Sequence, residues 1–413
     1  MNRLSTQESL EIESSIGFSG SALVLSLVLP FRNGRILRLV QTLLTENFRT
    51  TVIAPIDSVP RLRVNYLPLR GPQKRSSLYW SALRVLTRIT LVLAFWFRLD
   101  LLDVSDWMAQ KALGFSRYLR DIHGEKAVIV VEDVLLLGLA LKQKDPGTRV
   151  VYEARDYAHH LFENNWLWRI TIGRGLHALL VQALPLCDEV IAVSPEMAQA
   201  FEQDFGVTAE VVLSVPNQPP EDFMPAHEGK ALKLVYSGRA DSNRGLEEII
   251  SAVGALGETV TLDLFLVGHS GDIRRLRKTS RPYLNVKIRK PVPFTEILNT
   301  LAHYDAGVAL FPPATRNLEN ALPNKFFEYL FAGIPAIVAE GSAMARLVEQ
   351  YGCGFVFSPE AELLQPQFQA LSHARILASR DGISAIRDSI EWSRQKRKLR
   401  RTVIPSTAGE EQV

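Results

Sequence analysis

The 413 residues include only two cysteines, Cys187 and Cys353, far apart in the chain. That usage supplies neither a disulfide framework nor a thiolate metal cluster, fits a reducing compartment, and leaves both thiols to pack as small hydrophobes. Long hydrophobic runs are also missing. No stretch approaches the roughly 18 apolar residues of a spanning helix; the longest candidates are 21–30, which reads as a buried strand, and 89–97. The amino-terminal residues are polar and acidic, without the basic and apolar regions of a secretory signal, so none is expected. Charge of one sign is not in excess: 47 Lys and Arg face 44 Asp and Glu, a net charge of +3, and no global field argues for nucleic acid. There is no full Gly-x-Gly-x-x-Gly fingerprint, no repeat of solenoid period and no low-complexity tract. What is present, 47% hydrophobic and 22% charged residues, is an ordinary soluble balance. The length favours two domains, with three allowed on length alone.

Short β-branched runs alternate with helical patterns from Ala22 onward. The pattern predicts strands at 23–29, 51–54, 127–131, 150–152 and 190–193 in the first half. In the second half it predicts 232–236, 261–267, 286–289, 307–310, 335–338 and 354–357. Continuous apolar strands with helices between them indicate parallel sheets covered on both faces, and the pattern occurs twice. Between the halves, residues 215–225 hold four prolines and no periodicity, which marks a linker. The expected architecture is therefore α/β, with two doubly wound Rossmann-like domains over 1–224 and 225–383. A final segment, 384–413, is helical by pattern over about 384–403 and carries Ile390, Trp392 and Leu399. Ligands of such sheets bind beyond the carboxyl ends of the strands, here in a shared cleft.

The most informative segment runs Leu322-Pro323-Asn324-Lys325-Phe326-Phe327-Glu328-Tyr329 and on through Gly333 to Pro335. Proline suits the first helical position because its missing N–H has no intrahelical partner there. The free amides of a helix start attract anions, and Glu328, one turn inside, is placed to accept hydrogen bonds from ribose hydroxyls. Phosphate at the tip with ribose behind it is the layout of a nucleoside-diphosphate site.

Pro-Asn-Lys-x-x-Glu-Tyr-x-x-x-Gly-x-Pro resembles the donor-site motif of retaining glycosyltransferases of the GT-B fold, the family 4 type that builds bacterial surface polysaccharides. That family usually has two glutamates with seven residues between them. The second matches Glu328; the first falls on Asn320, with Glu319 beside it, so the resemblance implies an altered site. Asparagine still donates and accepts hydrogen bonds. The family pattern Gly-Arg, then Lys-Gly, corresponds to Gly238-Arg239 and Arg244-Gly245, with a planar fork replacing a point charge. On the residues alone, Arg239 and Arg244 read as surface cations beside Asp241, Glu247 and Glu248; together with 322–335 they read as cleft residues. The resemblance implies that Arg239 and Lys325 stabilise a departing diphosphate without a metal, and that Glu328 holds the ribose. Gly238, Arg244, His269, Val292, Asn320, Leu322, Pro323 and Asn324 then line the donor. His269 also fits an ordinary tight turn, Gly268-His269-Ser270-Gly271.

In the first half, Asn33-Gly34 after the first strand is either an acceptor-facing loop or a plain βα turn. Related enzymes end a strand in Tyr-Asp-x-His-Glu; here Arg155 takes the histidine place and Asp156 the glutamate place. His159 and His160 follow one turn later, either as acceptor-binding groups or as a polar helix start. Ser194 caps the helix that Pro195 begins. The stretch 70–98, with arginines interleaved among Trp80, Phe95, Trp96 and Phe97, either lies in a membrane interface or covers the amino-terminal sheet. Six basic residues in 394–401 form a solvated face or touch anionic lipid; no aromatic platform for nucleic acid accompanies them.

The expectation is a cytoplasmic, retaining, metal-independent glycosyltransferase acting at the inner face of the plasma membrane. It needs no cofactor, takes a nucleotide-sugar as substrate and uses a glycan or lipid-linked hydroxyl as acceptor. The last helix is implied to cross back to the first domain. The rivals are a nucleotide-sugar 2-epimerase of the same fold and a non-catalytic membrane-associated partner of a polysaccharide assembly complex.

Overall fold

The computed structural model describes residues 19–27, 34–55, 64–69, 77–119, 126–216, 231–241 and 244–404. Two all-parallel sheets organise it. The first has the strand order β3-β2-β1-β4-β5-β6-β7, with β1 Gly20–Leu25, β2 Phe48–Pro55, β3 Asn65–Leu69, β4 Val128–Val131, β5 Arg149–Ala154, β6 Glu189–Ala192 and β7 Glu210–Val211. The second has the order β10-β9-β8-β11-β12-β13, with β8 Leu232–Arg239, β9 Val260–Val267, β10 Val286–Arg289, β11 Ala306–Ala309, β12 Ala336–Ala339 and β13 Gly354–Phe357. Each order reverses once, between β1 and β4 and between β8 and β11, and the crevice of a doubly wound sheet opens at that reversal. The fold is GT-B.

The central strands are buried along their whole length: β4, β11 and β12 show no accessible residue. That is why their runs of valine, isoleucine and alanine carry no alternation. Two edge strands escaped the sequence pattern. β3 contains Asn65 and Pro68, tolerable only where one side of the strand is unpaired, and β7 is two residues long.

Seven of the helices position the site or join the halves: α1 Gly34–Thr45, α2 Ser77–Trp96, α3 Arg174–Ala183, α4 Pro195–Phe205, α5 Asn324–Phe331, α6 Arg380–Ser389 and α7 Trp392–Val403. Ser194 does cap α4, accepting from the Met197 amide at 3.1 Å with Pro195 next in line. Two helix boundaries differ from the sequence expectation. Pro323 is the cap residue of α5 in extended backbone, and the helix begins at Asn324. The pattern over 384–403 is not one helix: it breaks at Ile390 and Glu391. α6 packs on α5 in the second domain. α7 lies across the first, where Leu399 and Val403 enter the core under α1 and Gln395 accepts from the Leu213 amide at 2.9 Å. Trp392 packs against both cores.

Further contacts join the halves along a seam. Asn317 accepts from the Tyr157 amide at 2.7 Å, and Ser194 donates to the Asn320 carbonyl at 2.6 Å. Arg346 pairs with Glu196 at 2.9 Å. The Phe294 ring lies so close over Gly34 that an added Cβ would overlap it.

Candidate functional site

On the donor side, Lys325 comes one residue after the start of α5 and reaches back over the carboxyl end of β8. Its Nζ lies 3.8 Å from the centre of the Tyr236 ring and 4.8 Å from that of Phe311. Gly238 makes this possible. Its φ of +147° suits glycine, and an added Cβ would overlap Nζ and stand 2.9 Å from Cε. Arg244 stacks on the same aromatic wall, 4.4 Å from the Phe311 centre, and its Nε has no hydrogen-bond partner among the described residues. Burial first, and the neighbouring Arg244 second, push the Lys325 ammonium well below the usual lysine range, while Glu328 and Asp241 oppose them. Lys325 forms no ion pair among the described residues. Enclosed cations without an anion are costly, and these two face the reversal between β8 and β11.

Behind the tip, burial raises the Glu328 carboxyl, and Arg38 and Lys325 hold it down. Arg38 comes from the other domain. It lies on the buried face of α1, 3% exposed, with its guanidinium 5.7 Å from the Trp392 ring centre and its NH2 nitrogen unpartnered. Burial and the adjacent Arg35 lower it to about 10. Tyr329, the tyrosine of the same segment, is a structural part. Its hydroxyl accepts from the Ser237 amide at 3.1 Å and donates to the Val308 carbonyl at 3.2 Å, bridging β8 and β11. The ring fills the space over Gly307, where any Cβ would overlap it.

The remaining donor candidates are less convergent. Arg239 is 61% exposed and closed on Asp241 through two bonds of 2.7 and 3.2 Å, which raise its pKa. His269 is exposed at the start of the helix Ser270–Ser280, Val292 packs against the domain core, and Leu322 is buried. Asn324 opens α5, and Asn320 is engaged through its backbone carbonyl with Ser194.

On the facing side, the β1/β4 reversal gathers the expected Arg155 and Asp156 with ionisable groups that sequence reading passed over. Ser26, at the end of β1, donates to Glu132 at 3.0 Å. Glu132 is 6% exposed, with its other oxygen unpartnered, and burial lifts its carboxyl to about 7 against the pull of Arg155. Burial also raises Asp133. Arg155 bonds Asp156 at 3.3 Å; burial works against its charge, but Asp156, Glu132 and Asp133 hold it above the ordinary range. Behind them Arg35 and Glu153 form a buried ion pair, with Arg35 also donating to the Val212 carbonyl and to Ser214. Asn33 lies outside the described residues. Gly34 is at the seam against Phe294, and His159 is buried among the rings of Tyr157, His160, His177 and Phe205, so its side chain does not face an open acceptor surface. The signals for the overlooked groups were modest: an arginine in phase with the apolar face of α1, and a carboxylate immediately after an all-apolar strand.

A separate groove of about 710 Å³ lies at the amino ends of β8 to β10. Its polar groups satisfy one another, Asp263 taking both Arg289 at 3.0 Å and Tyr304 at 2.8 Å, so it offers less to a ligand than the cleft.

No protein-family model matches the sequence, and no curated protein matches it either. Solved structures do match in fold. Sucrose-phosphate synthase from Thermosynechococcus elongatus aligns with a TM-score of 0.66 at 14% identity, covering 92% of this chain and 98% of its own. Anabaena HepE, solved in complex with UDP and glucose, aligns with a TM-score of 0.64 at 14% identity over 93% and 99% of the two chains. WaaG, a glycosyltransferase of lipopolysaccharide biosynthesis, gives 0.62 at 13% identity over 92% and 99%.

Proposed function

We propose that this chain is a retaining, metal-independent glycosyltransferase that moves a sugar from a nucleoside-diphosphate donor to a hydroxyl of a glycan or lipid-linked acceptor in surface polysaccharide synthesis. The observation that carries this reading is Lys325: a partly buried ammonium that forms no ion pair among the described residues, seated on Gly238 at the tip of α5 and at the sheet reversal. A diphosphate supplies the missing anion, and α5 adds free amides. Residues 225–383 then form the donor half, 1–224 the acceptor half, and Glu328 receives the ribose. A structural neighbour solved with UDP and glucose supports the nucleotide-sugar class.

In the reaction, the bond from the anomeric carbon to the diphosphate oxygen breaks and an acceptor oxygen bonds to the same face. The acceptor proton passes to the departing phosphate. Lys325 and Arg244, with Arg239 once it leaves Asp241, hold the charge that grows on the diphosphate. Charge-assisted bonds of this kind contribute roughly 1.5–3 kcal/mol each. Glu132, Arg155 and Asp156 face the acceptor.

The rival reading as a non-catalytic partner has one observation in its favour, the closure of Arg239 on Asp241. A thermal-shift titration with UDP, GDP, ADP and CMP in the absence of divalent metal separates the two. A ligand of the native state adds about 2.7 kcal/mol at a hundredfold excess over Kd, and Glu328→Ala should weaken the responding nucleotide roughly tenfold by removing a charged acceptor. No response to any nucleotide would sink the transferase reading.

The first domain also offers a lipid-facing surface. α2 exposes Leu86, Ile89, Leu93 and Trp96 on one face, continued by Phe97 and Leu99, and the neighbouring turn exposes Trp166, Leu167 and Ile170. Exposed Arg98, Arg169 and Arg174 flank them. Contiguous apolar surface with a basic rim suits peripheral docking on an anionic membrane, and it supports a position for the enzyme at the cytoplasmic face. No helix among the described residues is long and apolar enough to cross a membrane. Vesicles containing phosphatidylglycerol should pellet the wild-type chain at low salt, and the double change Leu93→Ser with Trp96→Ser should cut the bound fraction several-fold. Equal pelleting of both proteins would remove the docking surface.

A further inference from the structure

The first domain holds a cluster of imidazoles that the transfer reaction does not use. His159 and His160 belong to one short turn after β5, and Asp204 lies near the carboxyl end of α4. His159 Nε2 is 3.6 Å and His160 Nε2 3.9 Å from the same oxygen, Asp204 Oδ2. One ligand atom from each residue falls within 4.8 Å of the other two. Four ligands around zinc, at about 2.0–2.1 Å each, stand about 3.4 Å apart. The triangle therefore needs contraction of well under an ångström on its two measured edges.

A second observation points to a ligand. The His159 side chain is 5% exposed, and neither ring nitrogen has a hydrogen-bond partner. Buried imidazoles are ordinarily satisfied at both nitrogens. Neither nitrogen finds a hydrogen bond among the described residues, although Nε2 is aimed at Asp204. The surroundings complete the pattern. His160 Nδ1 is bonded to Glu163, and the Tyr157 hydroxyl donates to Asp204. Carboxylate partners behind ligating histidines fix the tautomer that leaves Nε2 free for a metal.

We propose that His159, His160 and Asp204 bind a single zinc ion through two imidazole Nε2 atoms and one carboxylate oxygen, with water in the fourth position. The residue types suit zinc, a borderline ion that takes imidazole and carboxylate together. The site is structural. It stands at the seam, where Arg316 of the second domain approaches Asp204 to 3.6 Å and gives its amide to Glu163, and it is built from residues other than Lys325, Arg244 and Glu328. A zinc ion here is compatible with metal-free departure of the diphosphate.

The test uses the full chain, stripped with a chelator, freed of it, loaded with zinc chloride, passed through gel filtration and assayed for bound metal. The expected result is one retained zinc per chain, a dissociation constant at or below the micromolar range, and a melting temperature raised by several degrees. Asp204→Asn and His160→Gln should each lose the retained equivalent, with affinity down at least a hundredfold. Wild-type protein that emerges without zinc overturns the proposal, with no need for a folded variant. Retention of the metal by both variants overturns this ligand set.

Discussion

Replacing Lys325 by methionine should lower the turnover number about 10²–10³-fold, the usual loss for a preorganised donor at a developing anion, and leave the chain at least as stable as before. The two halves of this expectation come from one arrangement. The ammonium rests on the faces of Tyr236 and Phe311 and forms no ion pair among the described residues. An aromatic wall holds a cation less well than an anion does, contributing about 2 kcal/mol when water is excluded. The depressed proton affinity of Lys325 is the sign that its charge is held at a cost in the free protein. Methionine fills the same volume, touches the same rings and carries no charge to desolvate. Steady-state kinetics with the nucleotide-sugar that gives the thermal response, together with a melting curve, checks both halves. A variant that keeps wild-type turnover would remove Lys325 from the chemistry; one that melts far below wild type would make it a structural cation.

Glu132→Gln should reverse the chain's response to alkali. The folded-state carboxyl stands at about 7, against 4.5 for a free glutamate. A raised acid binds more protons folded than unfolded, so its contribution to stability is fully present below 4.5 and is lost as pH rises through 7. Each factor of ten in proton affinity is about 1.4 kcal/mol, which bounds the loss near 3 kcal/mol. Glutamine keeps the bond from Ser26 and never ionises. The charged groups that face Glu132 are Arg155, Glu153 and Arg35, and the substitution leaves all three in place. The variant should therefore gain stability over wild type between pH 5 and 8 and match it most closely at pH 5. Denaturant titrations at several pH values measure this directly, and parallel curves for the two proteins would show that Glu132 is already ionised when folded.

How far such residues could be read from the sequence depended on whether their setting is local. Strands such as β4, β11 and β12 announce themselves because both faces are covered and no position is polar. β3 does not, since an edge position lets Asn65 and Pro68 stand in it, and β7 is too short for any period to show. The Lys325–Glu328 segment was legible because cap, cation, carboxylate and glycine follow one another within a single βα unit, although the cap fell one residue later than expected. Arg38 and Glu132 were not, because burial of a charge is a tertiary fact. Helical phasing puts Arg38 beside Ile36 and Leu39, yet an arginine in that register ordinarily bends out to solvent; here Trp392, from the far end of the chain, closes the exit. His159 followed the same logic. Two adjacent histidines after a strand carry no hint that Asp204, on another helix, will meet them.

The return of α7 to the first domain has a mechanical meaning. The backbone passes between the halves twice, once between Pro216 and Ala231 and once at Ile390–Glu391. A body fastened to another at one point can swing in any direction; fastened at two, it turns only about the line joining them. The bonds of Asn317 to Tyr157, Ser194 to Asn320 and Arg346 to Glu196 lie along the seam and resist that turn as well, so the cations on α5 and the carboxylates beyond β4 are held in one alignment.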